Sequence, residues 1–154
     1  MFELPPNLPP EQPVSPQVIE KCVNYSARHF KLNPLVIKAI IGVEGGKIGT
    51  MSRNSNGTYD MGIMQINTIH IPDIQRKYPK VSWREVAYSP CVNIGVGSWI
   101  LSQRLNEVSP ENYWIGVGNY HSKTRKYRDR YLKKLYPIYK RLLREHQLKR
   151  RKNK

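Results

Sequence analysis

Four dipeptides, Ser15-Pro16, Asn33-Pro34, Ser89-Pro90 and Ser109-Pro110, divide most of this chain into helices before any other feature is weighed. A Ser or Asn oxygen can accept from the free amides of a first helical turn. A proline just inside that turn lacks only an N–H that has no helical partner anyway. After the first pair, Ile19, Cys22, Val23, Ser26 and Phe30 recur at helical spacing and predict a buried stripe. After the second, "LVIKAIIGVE" is almost unbroken apolar sequence and stops at Gly45-Gly46, where glycine tolerates the left-handed backbone of a helix end. "SWRE", Ser82 to Glu85, fits a capping box and marks a further start. Gly95, Gly97 and Ser98 predict close contacts along the helix that follows Ser89-Pro90.

Strand signals are confined to one place. Within residues 47–66, "RNSNGTYDMGIMQI" holds Asn56-Gly57 between short segments, a hairpin cue. The expected fold is therefore mostly α, a helical domain with one small β-hairpin. At 154 residues the chain can bury one sizeable core. Three regions are expected. Residues 1–15, with five prolines, form an extended and poorly packed lead-in; residues 16–122 form the folded body; residues 123–154 form a basic amphipathic helix and tail. In the last region Tyr127, Tyr131, Leu135, Ile138, Leu142 and His146 recur every three or four residues, with a bend expected at Pro137.

The net charge of +15 is uneven: fifteen Lys or Arg stand against Asp129 and Glu145 between Lys123 and Lys154. The basicity belongs to the tail, so its partner is separate from whatever the body acts on. A nucleic-acid binder is one reading of lysines and arginines interleaved with tyrosines, but anionic lipid, acidic polymer or a protein complex fits such a segment equally well. No run of about eighteen apolar residues predicts a transmembrane segment. Nothing before Ser15 has the basic-then-apolar pattern of a secretory signal.

Cys22 and Cys91 lie 69 positions apart with no CxxC spacing and no neighbouring His or Cys cluster, which argues against structural zinc. Two buried thiols and one disulfide are both open on spacing alone.

Glu44 is the chemically suggestive residue. Three, four and seven positions before it stand Ile41, Ile40 and Ile37, so its side chain is expected on or beside a buried helical face. Burial and the negative end of a helix both favour the protonated acid, the form a glycosidase needs to protonate a leaving oxygen. The alternative is a glutamate that turns to solvent or pairs with Lys47. Glycosidases ordinarily use a second carboxylate, and Asp60 is the best candidate, although an Asp in "TYDMG" also suits a turn.

Four segments, "IKAIIGVEGG", "NSNGTYDMGIMQIN", "SPCVNIGVGSWIL" and "WIGVGNYHS", in this order resemble the soluble lytic transglycosylases, a lysozyme-like family. The resemblance runs from about Cys22 to Ser122. "PCVNI" with the two cysteines looks most like the small members that accompany type III and type IV secretion, conjugation and pilus systems. That likeness implies a Cys22–Cys91 disulfide and an envelope or periplasmic setting, with the chain either beginning after its signal or exported by another route. It implies Glu44 as the sole catalytic acid and base, with Gly45, Met64, Gln65, Asn93 and Tyr120 at substrate-binding positions. It implies cleavage of the bond between N-acetylmuramic acid and N-acetylglucosamine in peptidoglycan strands, leaving a 1,6-anhydro end, with no metal and no cofactor. Two departures stand out: Gly45 replaces the serine that commonly follows the catalytic glutamate, and "YHSK" replaces "YNAG" at Tyr120 to Lys123. Hydrolysis by water, as in a muramidase, and a noncatalytic peptidoglycan-binding scaffold are the rival readings.

Overall fold

Each of the polar-proline pairs stands at a helix start. In a computed structural model that describes residues 2–153, α1 spans Pro16–Phe30 and α2 Pro34–Glu44. The Ser15 hydroxyl accepts from the Val18 N–H at 3.2 Å, and Asn33 Oδ1 accepts from the Leu35 N–H at 2.9 Å. Two short helices follow, α3 (Ile71–Lys77) and α4 (Trp83–Tyr88), the latter with the full Ser82–Glu85 capping box. The long α5 is Pro90–Asn106; Ser109-Pro110 opens a single 3₁₀ turn, Pro110–Asn112, that leads into α6 (Tyr113–Asn119). Helix α7, Arg125–Lys152, continues through Pro137.

The β structure is larger than a hairpin. Strands β1 (Met51–Arg53), β2 (Tyr59–Met61) and β3 (Ile66–Asn67) form an antiparallel sheet in that order. β2 is central, with Asp60 opposite Ser52 on one side and Asn67 on the other. The connection is not a tight Asn56-Gly57 turn either. The Asn54 carbonyl accepts from the Gly57 N–H, and the Asn54 N–H reaches the Thr58 carbonyl. Gly57 is left-handed at φ 84° while Asn56 is not, whereas a two-residue type I′ turn needs positive φ at both.

The chain packs as two compact units: Met1–Ser26 with Glu44–Gly97, and Ala27–Val43 with Ser98–Lys154, the boundaries falling within α1, α2 and α5. In the first unit the sheet and its following turn bury Met61, Ile63, Met64 and Ile66, with Val23, Ile74, Val86 and Ile94 also buried. Cys22 and Cys91 are joined by a disulfide linking α1 to the first turn of α5. The lead-in is held more firmly than its composition suggests. Phe2 meets the rings of Tyr59 and Trp83 edge-on, the Tyr88 hydroxyl donates to the Pro9 carbonyl, and Gln12 and Ile48 exchange two backbone hydrogen bonds.

In the second unit Val36, Ile37, Ala39, Ile40, Ile100, Leu101 and Val117 are buried, and α7 contributes Tyr131 and Leu135. Helices α6 and α7 approach closely at Gly118, where a β-carbon would fall 2.5 Å from Arg128 Cγ. Trp114 packs edge-on against Tyr136 and Tyr139.

Candidate active site

Glu44 is the last residue of α2 and is half-buried. The two glycines after it do different work. Gly45 has φ +67°, and a β-carbon there would meet nothing within 4 Å, so backbone conformation, not space, favours glycine. At Gly46 a β-carbon would stand 1.9 Å from the Gly62 carbonyl oxygen and 3.0 Å from Gln65 Nε2. Gly46 thus lets the chain leaving Glu44 lie directly on the turn that joins β2 to β3.

That turn is itself unusual. Gly62 and Gln65 both have positive φ, 67° and 53°. For a non-glycine residue this costs about 1–2 kcal/mol. Two hydrogen bonds from Gln65 to the Gly62 carbonyl, one from its N–H at 3.1 Å and one from Nε2 at 2.9 Å, offset it. Gly62 in turn donates its N–H to the Thr50 carbonyl at 2.8 Å.

Beneath the turn Asn93 uses its side chain as a clamp. Its Oδ1 accepts from the Met64 N–H at 2.8 Å, and its Nδ2 donates to the Met61 carbonyl at 2.9 Å and the Val86 carbonyl at 2.8 Å. Asn93 is 1% exposed and Met64 0%. Met64 sulfur rests on Gly97, where a β-carbon would come within 2.4 Å of it.

The structure therefore brings Glu44, Gly45 and Gln65 together around the Gly46–Gly62 contact, with Gly45 exposed and Gln65 half-buried. Met64 fills the core and the Asn93 amide is committed to three backbone groups, so both hold the turn in place. Tyr120 belongs to the other unit, where it is half-buried at the end of α6 and gives its N–H to the Val117 carbonyl. Asp60 is a strand residue, not a turn residue, and its Oδ1 accepts from Asn67 Nδ2 at 3.0 Å. Sequence reasoning passed over Gly46 and Gly62 as site-building residues. The doubled glycine after Glu44 was the available signal, but the partner of its second member is set by tertiary packing.

The family model of the transglycosylase SLT domain matches residues 21–139. The chain belongs to this SLT family. Its mostly helical fold with one small sheet is the lysozyme-like architecture expected of an SLT domain. Among relatives, a peptidoglycan-binding-like protein of Escherichia coli O157:H7 is 32% identical over 131 residues, covering 79% of this chain and 77% of the relative. Invasion protein IagB of Salmonella typhimurium is 29% identical over 126 residues, 79% of this chain and 76% of IagB. A putative peptidoglycan-binding-like protein of Escherichia coli K12 is 30% identical over 107 residues, 66% of each. Transglycosylase activity is the property of this SLT family, and peptidoglycan its ligand.

Proposed function

We propose that this protein is a peptidoglycan lytic transglycosylase that cleaves between N-acetylmuramic acid and N-acetylglucosamine, with Glu44 as the acid and then the base. The carboxyl proton of Glu44 passes to the glycosidic oxygen as the bond from the muramic anomeric carbon to that oxygen breaks. The same sugar's 6-hydroxyl oxygen then bonds to the anomeric carbon, its proton returns to Glu44, and a 1,6-anhydro ring closes. One carboxyl serves both steps, so neither a protein nucleophile nor a metal is called for. Gly45 and Gln65 border the sugar, and Met64 and Asn93 act by fixing the turn.

The observation that carries this reading is the coincidence of the SLT match with a half-buried glutamate at the end of α2, docked through Gly46 onto the Gly62–Gln65 turn. The setting is the cell envelope, where local cleavage would open the wall for a spanning machine, as the likeness to a protein named for invasion suggests. The test is a zymogram on purified cell wall: the parent should clear it and Glu44→Gln should not. Equal behaviour of the two would favour a wall-binding protein without activity, a reading to which the names of two relatives lend weight.

A further inference from the structure

The SLT reading leaves α7 largely unused, although it carries most of the chain's charge. Tyr131 and Leu135 are its buried side chains. At roughly 100° per residue, Lys126, Arg130, Lys133, Lys140, Arg144 and Arg151 lie within about 40° of one line on the opposite face. All six are exposed. The helix's two carboxylates lie off this line, Asp129 with Arg125 and Arg128 and Glu145 with Arg141, and none of the six cations is in an ion pair among the described residues. The outcome is a cationic stripe about 38 Å long at 1.5 Å per residue.

Exposed tyrosines flank it. Tyr127 and Tyr136 lie roughly a quarter-turn to either side, 49% and 47% exposed, with Arg130 over one ring and Lys140 over the other. Tyrosine beside cations is the composition of a surface that meets a headgroup layer. The apolar face of α7 is spent on its own unit, and beyond Leu143 the only large apolar side chain is the exposed Leu148. No helix among the described residues is long and apolar enough to cross a membrane. The helix thus has charge for a surface but no free apolar face to insert into one.

We propose that the outer face of α7 docks flat on an anionic phospholipid leaflet through lipid phosphates, holding the catalytic unit beside the wall. A plane suits this face because the cations follow one line along the helix, and a helix lying on a plane can present that line at once. Choosing lipid over nucleic acid rests on the envelope setting proposed above; the contact itself needs no catalysis. Binding is electrostatic, so it falls steeply as salt rises.

The experiment is sedimentation of the full chain with vesicles of phosphatidylcholine alone or mixed with phosphatidylglycerol. The protein should sediment with the mixed vesicles only and be released by salt. The combined variant Lys126→Gln, Lys133→Gln, Lys140→Gln, Arg144→Gln should weaken binding by about fivefold per charge, on the order of several-hundredfold in all. A control of equal net charge, Lys21→Gln, Arg53→Gln, Lys77→Gln, Lys80→Gln, removes exposed cations elsewhere and should lose far less. Both variants should keep the parent's thermal unfolding midpoint. Equal losses in the two variants, binding to neutral vesicles, or tighter binding of an oligonucleotide or purified wall at the same salt would overturn the proposal. The assay contains no substrate, so its failure leaves wall cleavage standing, and failure of wall cleavage leaves a positive vesicle result intact.

Discussion

Replacing Asn93 by leucine keeps the branched skeleton of the side chain, with bulkier methyl ends, and removes all three of its hydrogen bonds. The Met64 N–H and the Met61 and Val86 carbonyls would then be left without those partners in a place where Asn93 itself is 1% exposed. Each buried group stranded in this way costs about 1–3 kcal/mol, so for three groups Asn93→Leu should lose roughly 3–9 kcal/mol. That is a large part of the roughly 5–15 kcal/mol by which a domain of this size is stable. Urea unfolding followed by tryptophan fluorescence should show a lower midpoint at unchanged slope. Asn93→Asp supplies a sharper version, because it keeps the acceptor for Met64 but sets a carboxyl against two carbonyl oxygens. Only the protonated carboxyl can donate to either. The folded state therefore binds that proton more tightly than the unfolded chain, and the variant's stability should be highest in acid and decline as pH rises past the ordinary carboxylate range. A loss below about 1 kcal/mol for Asn93→Leu, or an Asn93→Asp difference from the parent that does not vary with pH, would refute the clamp.

The glycines after Glu44 should separate by mechanism: Gly46→Ala collides with the Gly62 carbonyl and should cost about 3 kcal/mol or more together with most of the activity, whereas Gly45→Ala meets open space and should cost only the 1–2 kcal/mol of its left-handed backbone. Denaturation and wall-clearing assays on the two variants check the contrast. Reducing the Cys22–Cys91 bridge releases a loop of sequence separation 69 and should lower stability by about 4 kcal/mol, read by unfolding with and without reductant. Glu107 has its carboxyl held below the usual glutamate range, chiefly by the hydrogen bond from Lys123 and then by Arg104. Its contribution is therefore present above that range and lost as pH falls through the lowered value, and because the pair is exposed it should be under about 0.5 kcal/mol and screened by salt. Unfolding of Glu107→Gln and the parent across acid pH measures the difference.

What the sequence made legible was local. Ser15, Asn33 and Ser82 cap helices a few residues away, so their roles can be read without knowing the fold. The apolar run before Glu44 likewise announced a buried helix that ends in glycine. What stayed hidden was carried by partners distant in sequence. β3 is two residues long and exists because Asp60 and Met61 pair with Asn67 and Ile66. Gly97 did signal a tight contact, but its neighbour is Met64 in the turn before β3, not another helix. Asn93 stands 29 residues from the amide it accepts from, so nothing around it in the chain announced the clamp. In the proline-rich lead-in, composition could not show Phe2 reaching Trp83 or Tyr88 reaching the Pro9 carbonyl.

Everything proposed about catalysis reduces to one side chain giving a proton to a glycosidic oxygen and taking one back from the 6-hydroxyl of the same sugar. Mass spectrometry of purified peptidoglycan digested by the protein reads that sequence of transfers in the product. The account expects muropeptides ending in 1,6-anhydro-N-acetylmuramic acid, and none above background with Glu44→Gln. Reducing ends in their place, or undiminished product from the variant, would contradict it.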